Sequence, residues 1–174
     1  YLVLNQNKNN QFSYYSNLEE QKEVFEIRKA GLNILMSMKG DKKPVAFIED
    51  CAVSLDHLAD YTAQLKEIFK KYNTSGMFYA HASVGTLHIR PVLNMKSDED
   101  IKNMRSISEE SFEIVKNYKG SHSGEHGDGI VRSEFHEMMF GKKIVNAFEE
   151  IKDTFDSKNL LNPGKIVRPL KSND

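Results

Sequence analysis

The sequence predicts an α+β fold: an antiparallel sheet with helices covering one face. Two pairs of short apolar runs are separated by only a few turn-forming residues, so their strands are hairpin-joined and antiparallel. Between and after them lie longer segments with apolar residues at helical spacing. The 174 residues make one domain or one large piece of a bigger protein, long enough to bury a core.

Taken in order, Tyr1–Leu4 and Gln11–Tyr15 read as short strands, with Asn5–Asn10 as the polar turn. Ser16-Asn17-Leu18-Glu19 has the form of a capping box and opens a helix to about Met38, stopped by Gly40. Its buried stripe is expected at Val24, Ile27, Gly31, Leu35 and Met38. Pro44–Ile48 is an apolar strand. Ser54 caps a second helix carrying Leu58, Tyr61, Leu65, Ile68 and Tyr72. Met77–His81 and Thr86–Val92 form a hairpin turned at Ser83-Val84-Gly85. Ser97 and Asp100 start a third helix that carries Ile101, Met104, Ile107, Ile114 and Tyr118, although Glu or Gln is the usual box partner. Gly120–Gly129 is a loop. A last helical region carries Phe135, Met139, Ile144, Phe148, Ile151 and Phe155, with Gly141 as a candidate break, and Asn162-Pro163-Gly164 is a turn.

A net charge of -1 gives no strong electrostatic pull toward nucleic acid. The lone cysteine, Cys51, excludes an internal disulfide and favours a reducing compartment, so a cytoplasmic location is expected. Apolar runs such as Val45-Ala46-Phe47-Ile48 fall far short of the ~20 residues of a transmembrane segment. The chain opens in mid-strand, without an initiator Met or signal pattern, and reads as a fragment.

The densest chemical signal runs from Tyr79 to Arg90. A hairpin brings His81 and His88 side by side, and period-two alternation puts Thr86, His88 and Arg90 on one strand face. Two neutral imidazoles on a rigid hairpin suit a borderline metal such as zinc; the plain alternative is a pair of surface or hydrogen-bonded histidines. The second signal is Ser121-His122-Ser123-Gly124-Glu125-His126-Gly127-Asp128-Gly129. Its glycines let the backbone approach a ligand. Glu125 offers a third metal ligand, and His126 can act as a base; a solvated loop is the alternative. Arg28 can grip a carboxylate bidentately, or be a solvated helix charge.

In order, these residues resemble a known family. Glu26-Ile27-Arg28-Lys29-Ala30-Gly31, the His81–His88 hairpin, Gly124-Glu125-His126-Gly127-Asp128-Gly129 and the run from Phe155 to Lys165 through Asn162-Pro163-Gly164 are similar to the FAD-linked oxidase C-terminal domain. That domain occurs in glycolate oxidase, D-lactate dehydrogenase and D-2-hydroxyglutarate dehydrogenase. Each motif is weak alone; the ordered set, from about Glu26 to Lys165, is strong. The stretch from Met36 to Phe47 looks like a larger subgroup fused to a C-terminal iron–sulfur region.

The resemblance implies that 1–174 is a ferredoxin-like cap domain, a fragment of an FAD-dependent 2-hydroxy-acid dehydrogenase or oxidase, inactive alone. The FAD-binding domain of the same protein would hold most of the FAD. This domain would cover the flavin and build the pocket for a small-molecule 2-hydroxy acid, with the electron acceptor unspecified. Positions matching His81, His88 and Glu125 hold a zinc-like ion in metal-dependent members. His126 matches the base, and Arg28 an arginine that grips substrate carboxylate. Glu125, His126 and Asn162 fall at the cofactor-binding positions. Ser83, Val84 and Thr86 stand where many members carry Gly, Asp and Asn, and Arg90 stands where an Asn often sits. A fused iron–sulfur cluster would lie elsewhere in the protein, since Cys51 alone cannot bind one. Membrane-peripheral association of the full-length protein stays compatible with a cytoplasmic location. Two other classes compete: a stand-alone metal-dependent hydrolase, and a non-catalytic interaction domain.

Overall fold

The computed structural model describes residues 2–4 and 12–173 and divides into two compact units, 1–39 and 40–174. In the first unit, β1 (Leu2–Leu4) pairs antiparallel with β2 (Phe12–Tyr14), Leu2 opposite Tyr14. The turn expected at Asn5–Asn10 lies outside the described residues. Helix α1 spans Leu18–Met36. Its cap is Asn17 rather than Ser16: the Asn17 side-chain oxygen accepts from the Glu19 N–H at 2.8 Å, and Asn is among the strongest N-capping residues. The helix stops short of Met38 because Ser37 closes it, its hydroxyl donating to the Ile34 carbonyl. Val24, Gly31 and Leu35 are half-buried, but Ile27 is 71% exposed, which corrects the expected stripe. Leu18, Ile34 and Met36 are exposed as well, so apolar residues are spread around α1.

The second unit is organised by one long strand. Its elements are β3 (Lys43–Pro44), β4 (Cys51–Ala52), α2 (Leu58–Lys71), β5 (Gly76–His81), β6 (Thr86–Leu93), α3 (Asp98–Asn117), α4 (His136–Phe140) and α5 (Lys142–Phe155). All three neighbours of β6 run antiparallel to it: β5 along one edge, and β3 and β4 end to end along the other. The α+β expectation therefore holds.

Alternation along β6 separates two environments. Leu87, Ile89 and Leu93 join a core with Tyr61, Leu65, Ile68 and Phe69 of α2 and with Met104, Ile107, Phe112 and Val115 of α3. Thr86, His88 and Arg90 face the other way, yet Thr86 and His88 are buried too, because loops cover that side.

The strand expected over Pro44–Ile48 is confined to Lys43–Pro44. After Val45 donates to the Pro91 carbonyl (2.8 Å), the chain leaves the ladder and returns at Cys51. In between, Phe47 and Ile48 enter the core, and Glu49 and Asp50 are buried with them. Asp50 takes a left-handed conformation (φ 61°), which Asp tolerates better than most residues. Gly85 ends the turn between β5 and β6 at φ 73°, where a Cβ would lie 1.9 Å from the Val53 carbonyl oxygen. Only glycine lets 51–53 dock against the hairpin.

Ser54 opens a single 3-10 turn (Leu55–His57) before α2 instead of capping α2 itself. Ser97 caps α3, and Asp100 reaches past it to accept from the Asn94 N–H at 2.7 Å. Gly141 (φ 79°) does break the last helical region, separating α4 from α5. None of the α5 residues is buried: Ile144, Ile151 and Phe155 are exposed. No helix among the described residues is long and apolar enough to cross a membrane.

Cys51 is fully buried, and that burial pushes its thiol up to about 12. In the folded 174-residue chain at pH 8, Cys51 should therefore resist disulfide-exchange reagents and label only as urea unfolds the protein. Rapid labelling of the native chain would contradict the packing of 47–53.

Candidate metal centre and carboxylate site

The β5–β6 register sets the site. His81 pairs with Thr86 and Tyr79 with His88, so the two histidines are diagonal neighbours on one face. Their ring centroids are 5.1 Å apart. Glu125 closes the set from the glycine-rich loop. Its Oε1 is 3.6 Å from His81 Nε2, and its Oε2 is 3.3 Å from His88 Nε2. One ligand atom from each of the three lies within 4.8 Å of the others. His126 stacks on His88 with centroids 5.4 Å apart, and its Nε2 is 3.4 Å from Glu125 Oε2. Its side chain remains 48% exposed.

The donor set fits a zinc-like ion: two imidazole nitrogens and a carboxylate converge, with room to draw together. Burial holds the His88 imidazole below its usual range, against the pull of Glu49 and Glu125 toward protonation. A neutral ring has a lone pair to give. His88 Nδ1 faces Glu49 Oε1 at 3.3 Å while Nε2 faces Glu125.

Glu49 in turn is gripped by Arg90. Arg90 Nε and one terminal nitrogen each donate to a Glu49 oxygen at 2.7 Å. The fork is bidentate, so the Arg90 charge is matched within the protein. It is committed to Glu49, whose other close partner is His88.

The loop carrying Glu125 and His126 is fixed by Asp50, which is inaccessible to solvent. Asp50 Oδ2 accepts from the backbone N–H of Glu125 (2.7 Å) and of His126, while Oδ1 accepts from Arg132. Arg132 also donates to the Gly127 carbonyl at 2.7 Å and to the Glu49 carbonyl. Gly124 donates to the Asp50 carbonyl at 2.8 Å, and a Cβ there would lie 2.9 Å from that oxygen.

Thus His81, His88, Glu125 and His126 come together. Asn162, expected beside them, is exposed in the turn after α5 and makes no hydrogen bond to any of the four. Arg28 belongs to the first unit, exposed on α1, its guanidinium 5.7 Å from the Phe25 ring centre. Sequence reasoning missed Glu49, Asp50 and Arg132. The readable signal was two adjacent acids inside the apolar run Val45–Val53, since buried acids need partners; nothing local marked Arg132. A cleft of about 550 Å³ between α2 and α3, lined by Gln64, Glu67, Lys71 and Glu110, contains none of these residues.

A hairpin and a glycine-rich loop thus bring histidines and a carboxylate together on one face of an antiparallel sheet. The chain belongs to the family of FAD linked oxidases, C-terminal domain, whose model matches residues 3–166. It is 36% identical over 159 residues to the D-2-hydroxyglutarate dehydrogenase of Haemophilus influenzae, covering 91% of this chain and 15% of that protein. It is 29% identical over 148 residues to the glycolate oxidase subunit GlcD of Bacillus subtilis (85% and 31%). With the mitochondrial D-lactate dehydrogenase [cytochrome] of Arabidopsis thaliana it shares 25% over 167 residues (96% and 29%). The chain thus spans well under half the length of each.

Replacing Arg132 by Met leaves the Asp50 carboxylate buried without its cation. Breaking a buried pair on one side costs roughly 3–5 kcal/mol. Urea unfolding of Arg132→Met should show a loss of that order, whereas a midpoint equal to the parent's would mean that Asp50 finds other compensation.

Proposed function

We propose that this chain is the substrate-capping domain of a larger FAD-dependent dehydrogenase that oxidises a 2-hydroxy acid to the 2-oxo acid. The observation that carries the reading is the convergence of His81, His88 and Glu125, with His126 stacked beside them. In this reading His81, His88 and Glu125 hold a zinc-like ion, and the Glu49 carboxylate, gripped by Arg90, lies beside the far ring nitrogen of His88. With both bound, the ion would supply Lewis-acid polarisation of a 2-hydroxyl and the FAD a hydride acceptor. His126 takes the hydroxyl proton on its exposed ring. Arg28 is assigned the substrate carboxylate, and Asn162 a place beside the cofactor.

The FAD-binding domain would be supplied by the rest of the protein. The exposed Ile144, Ile151 and Phe155 of α5, with Leu160 and Leu161 after it, are apolar surface of the kind a neighbouring domain covers. The 15% share of the D-2-hydroxyglutarate dehydrogenase relative leaves ample length for a flavin unit and an iron–sulfur region. D-2-hydroxyglutarate, D-lactate and glycolate are the substrates to try first, after the relatives' names.

In the full-length protein, anaerobic addition of the right hydroxy acid should bleach the flavin. His88→Ala should lose bound metal and this reduction while keeping the flavin spectrum. His126→Ala should keep the metal and slow the reduction by about 10²–10⁴-fold, the usual worth of a general base. A His88→Ala protein reduced at the parent rate would defeat the assignment.

A further inference from the structure

A second group of metal-type ligands stands apart from the one above. His122 begins the glycine-rich loop, Asp128 lies near its end, and His136 opens α4. Both imidazoles are buried, at 1% and 2% exposure. We propose that His122, Asp128 and His136 form a second divalent-metal site, taking zinc or a similar borderline ion, that fixes the loop carrying Glu125 and His126.

The geometry argues for an ion rather than a hydrogen-bonded triad. His122 Nε2 is 3.2 Å from Asp128 Oδ1, and His136 Nε2 is 2.8 Å from Asp128 Oδ2. Donor atoms around a tetrahedral zinc lie roughly 3–3.5 Å apart, given bonds of about 2.0–2.2 Å. Despite these short separations, neither ring nitrogen of His122, nor His136 Nε2, nor Asp128 Oδ1 has a hydrogen-bond partner among the described residues. The His122 ring is near the carboxylate without the directionality of a hydrogen bond. Leaving so many buried polar atoms unsatisfied is costly, and a shared ion would satisfy His122 Nε2, His136 Nε2 and Asp128 Oδ1 together. Two imidazole nitrogens and the Asp128 carboxylate supply three protein ligands.

Two further observations agree. His136 Nδ1 lies 3.2 Å from the Ile166 carbonyl oxygen. A proton on Nδ1 donating there leaves the Nε2 lone pair for an ion, the arrangement usual for metal-bound histidine. The surroundings are apolar: Phe112 and Phe140 pack on His122 at 5.4 and 5.5 Å, and Phe140 and Phe148 on His136 at 5.5 and 5.9 Å. Imidazoles with one carboxylate suit zinc or cobalt better than calcium or magnesium, which favour all-oxygen shells. The ion would cross-link the loop to α4 and, through Ile166, to the C-terminal tail. The inference stands whether or not His81, His88 and Glu125 hold metal.

The test is metal stoichiometry in the full-length protein, purified, loaded with zinc and dialysed, with cobalt loading as a spectroscopic check. His122→Phe, which suits the aromatic shell, and His136→Gln should each lose one zinc equivalent per chain. The double variant His81→Ala/His88→Ala should retain that equivalent and show a cobalt absorption band of tetrahedral type. Zinc should raise the melting temperature of this double variant, and a chelator should reverse the rise. The double variant decides the matter even if His122→Phe fails to fold. If it holds no zinc and melts identically with and without the ion, the second site does not exist, and likewise if His122→Phe and His136→Gln retain the parent stoichiometry.

Discussion

The site depends on one buried carboxylate. Asp50 has no access to water, and it meets the backbone N–H groups of Glu125 and His126 with one oxygen and Arg132 with the other. A charge in that position is tolerable only because its oxygens are met by donors. Through it the excursion of 46–50 from the sheet edge and the glycine-rich loop become one body. Glu49, the preceding residue, turns to the hairpin and meets Arg90 and His88. Two adjacent acids thereby connect the elements that carry the candidate chemistry.

Much of this was legible in the sequence where interactions are local. The hairpin, its turn at Gly85 and the shared face of Thr86, His88 and Arg90 follow from alternation and glycine, and β6 obeys them. The helical spacing of Tyr61, Leu65 and Ile68, and of Met104 and Ile107, marked residues that are buried. The break at Gly141 was visible too.

What stayed hidden is non-local. Asp50 and Arg132 are 82 positions apart, and no pattern in either neighbourhood announces the pair. The partner of Arg90, Glu49, sits 41 positions away, just past a stretch that hydropathy marks as strand. The glycine-rich stretch had a solvated loop as its plain alternative, since composition reports backbone freedom and not the donors and acceptors that remove it. His122 and His136 fall into the same gap: the return of α4 to the loop brings them together.

Burial along β6 also bears on how such a domain can diverge. Thr86 and His88 are buried like the core residues that alternate with them, and Arg90 is tied to Glu49. A change at any of them perturbs packing or charge pairing as well as ligand contacts. Ser83 and Val84, at the tip between β5 and β6, are exposed. Evolutionary drift in ligand preference therefore has a cheap route at the tip and an expensive one along the strand. Neighbouring lineages should differ first in the turn, and reach the strand only by compensated, paired replacements such as Arg90 together with Glu49.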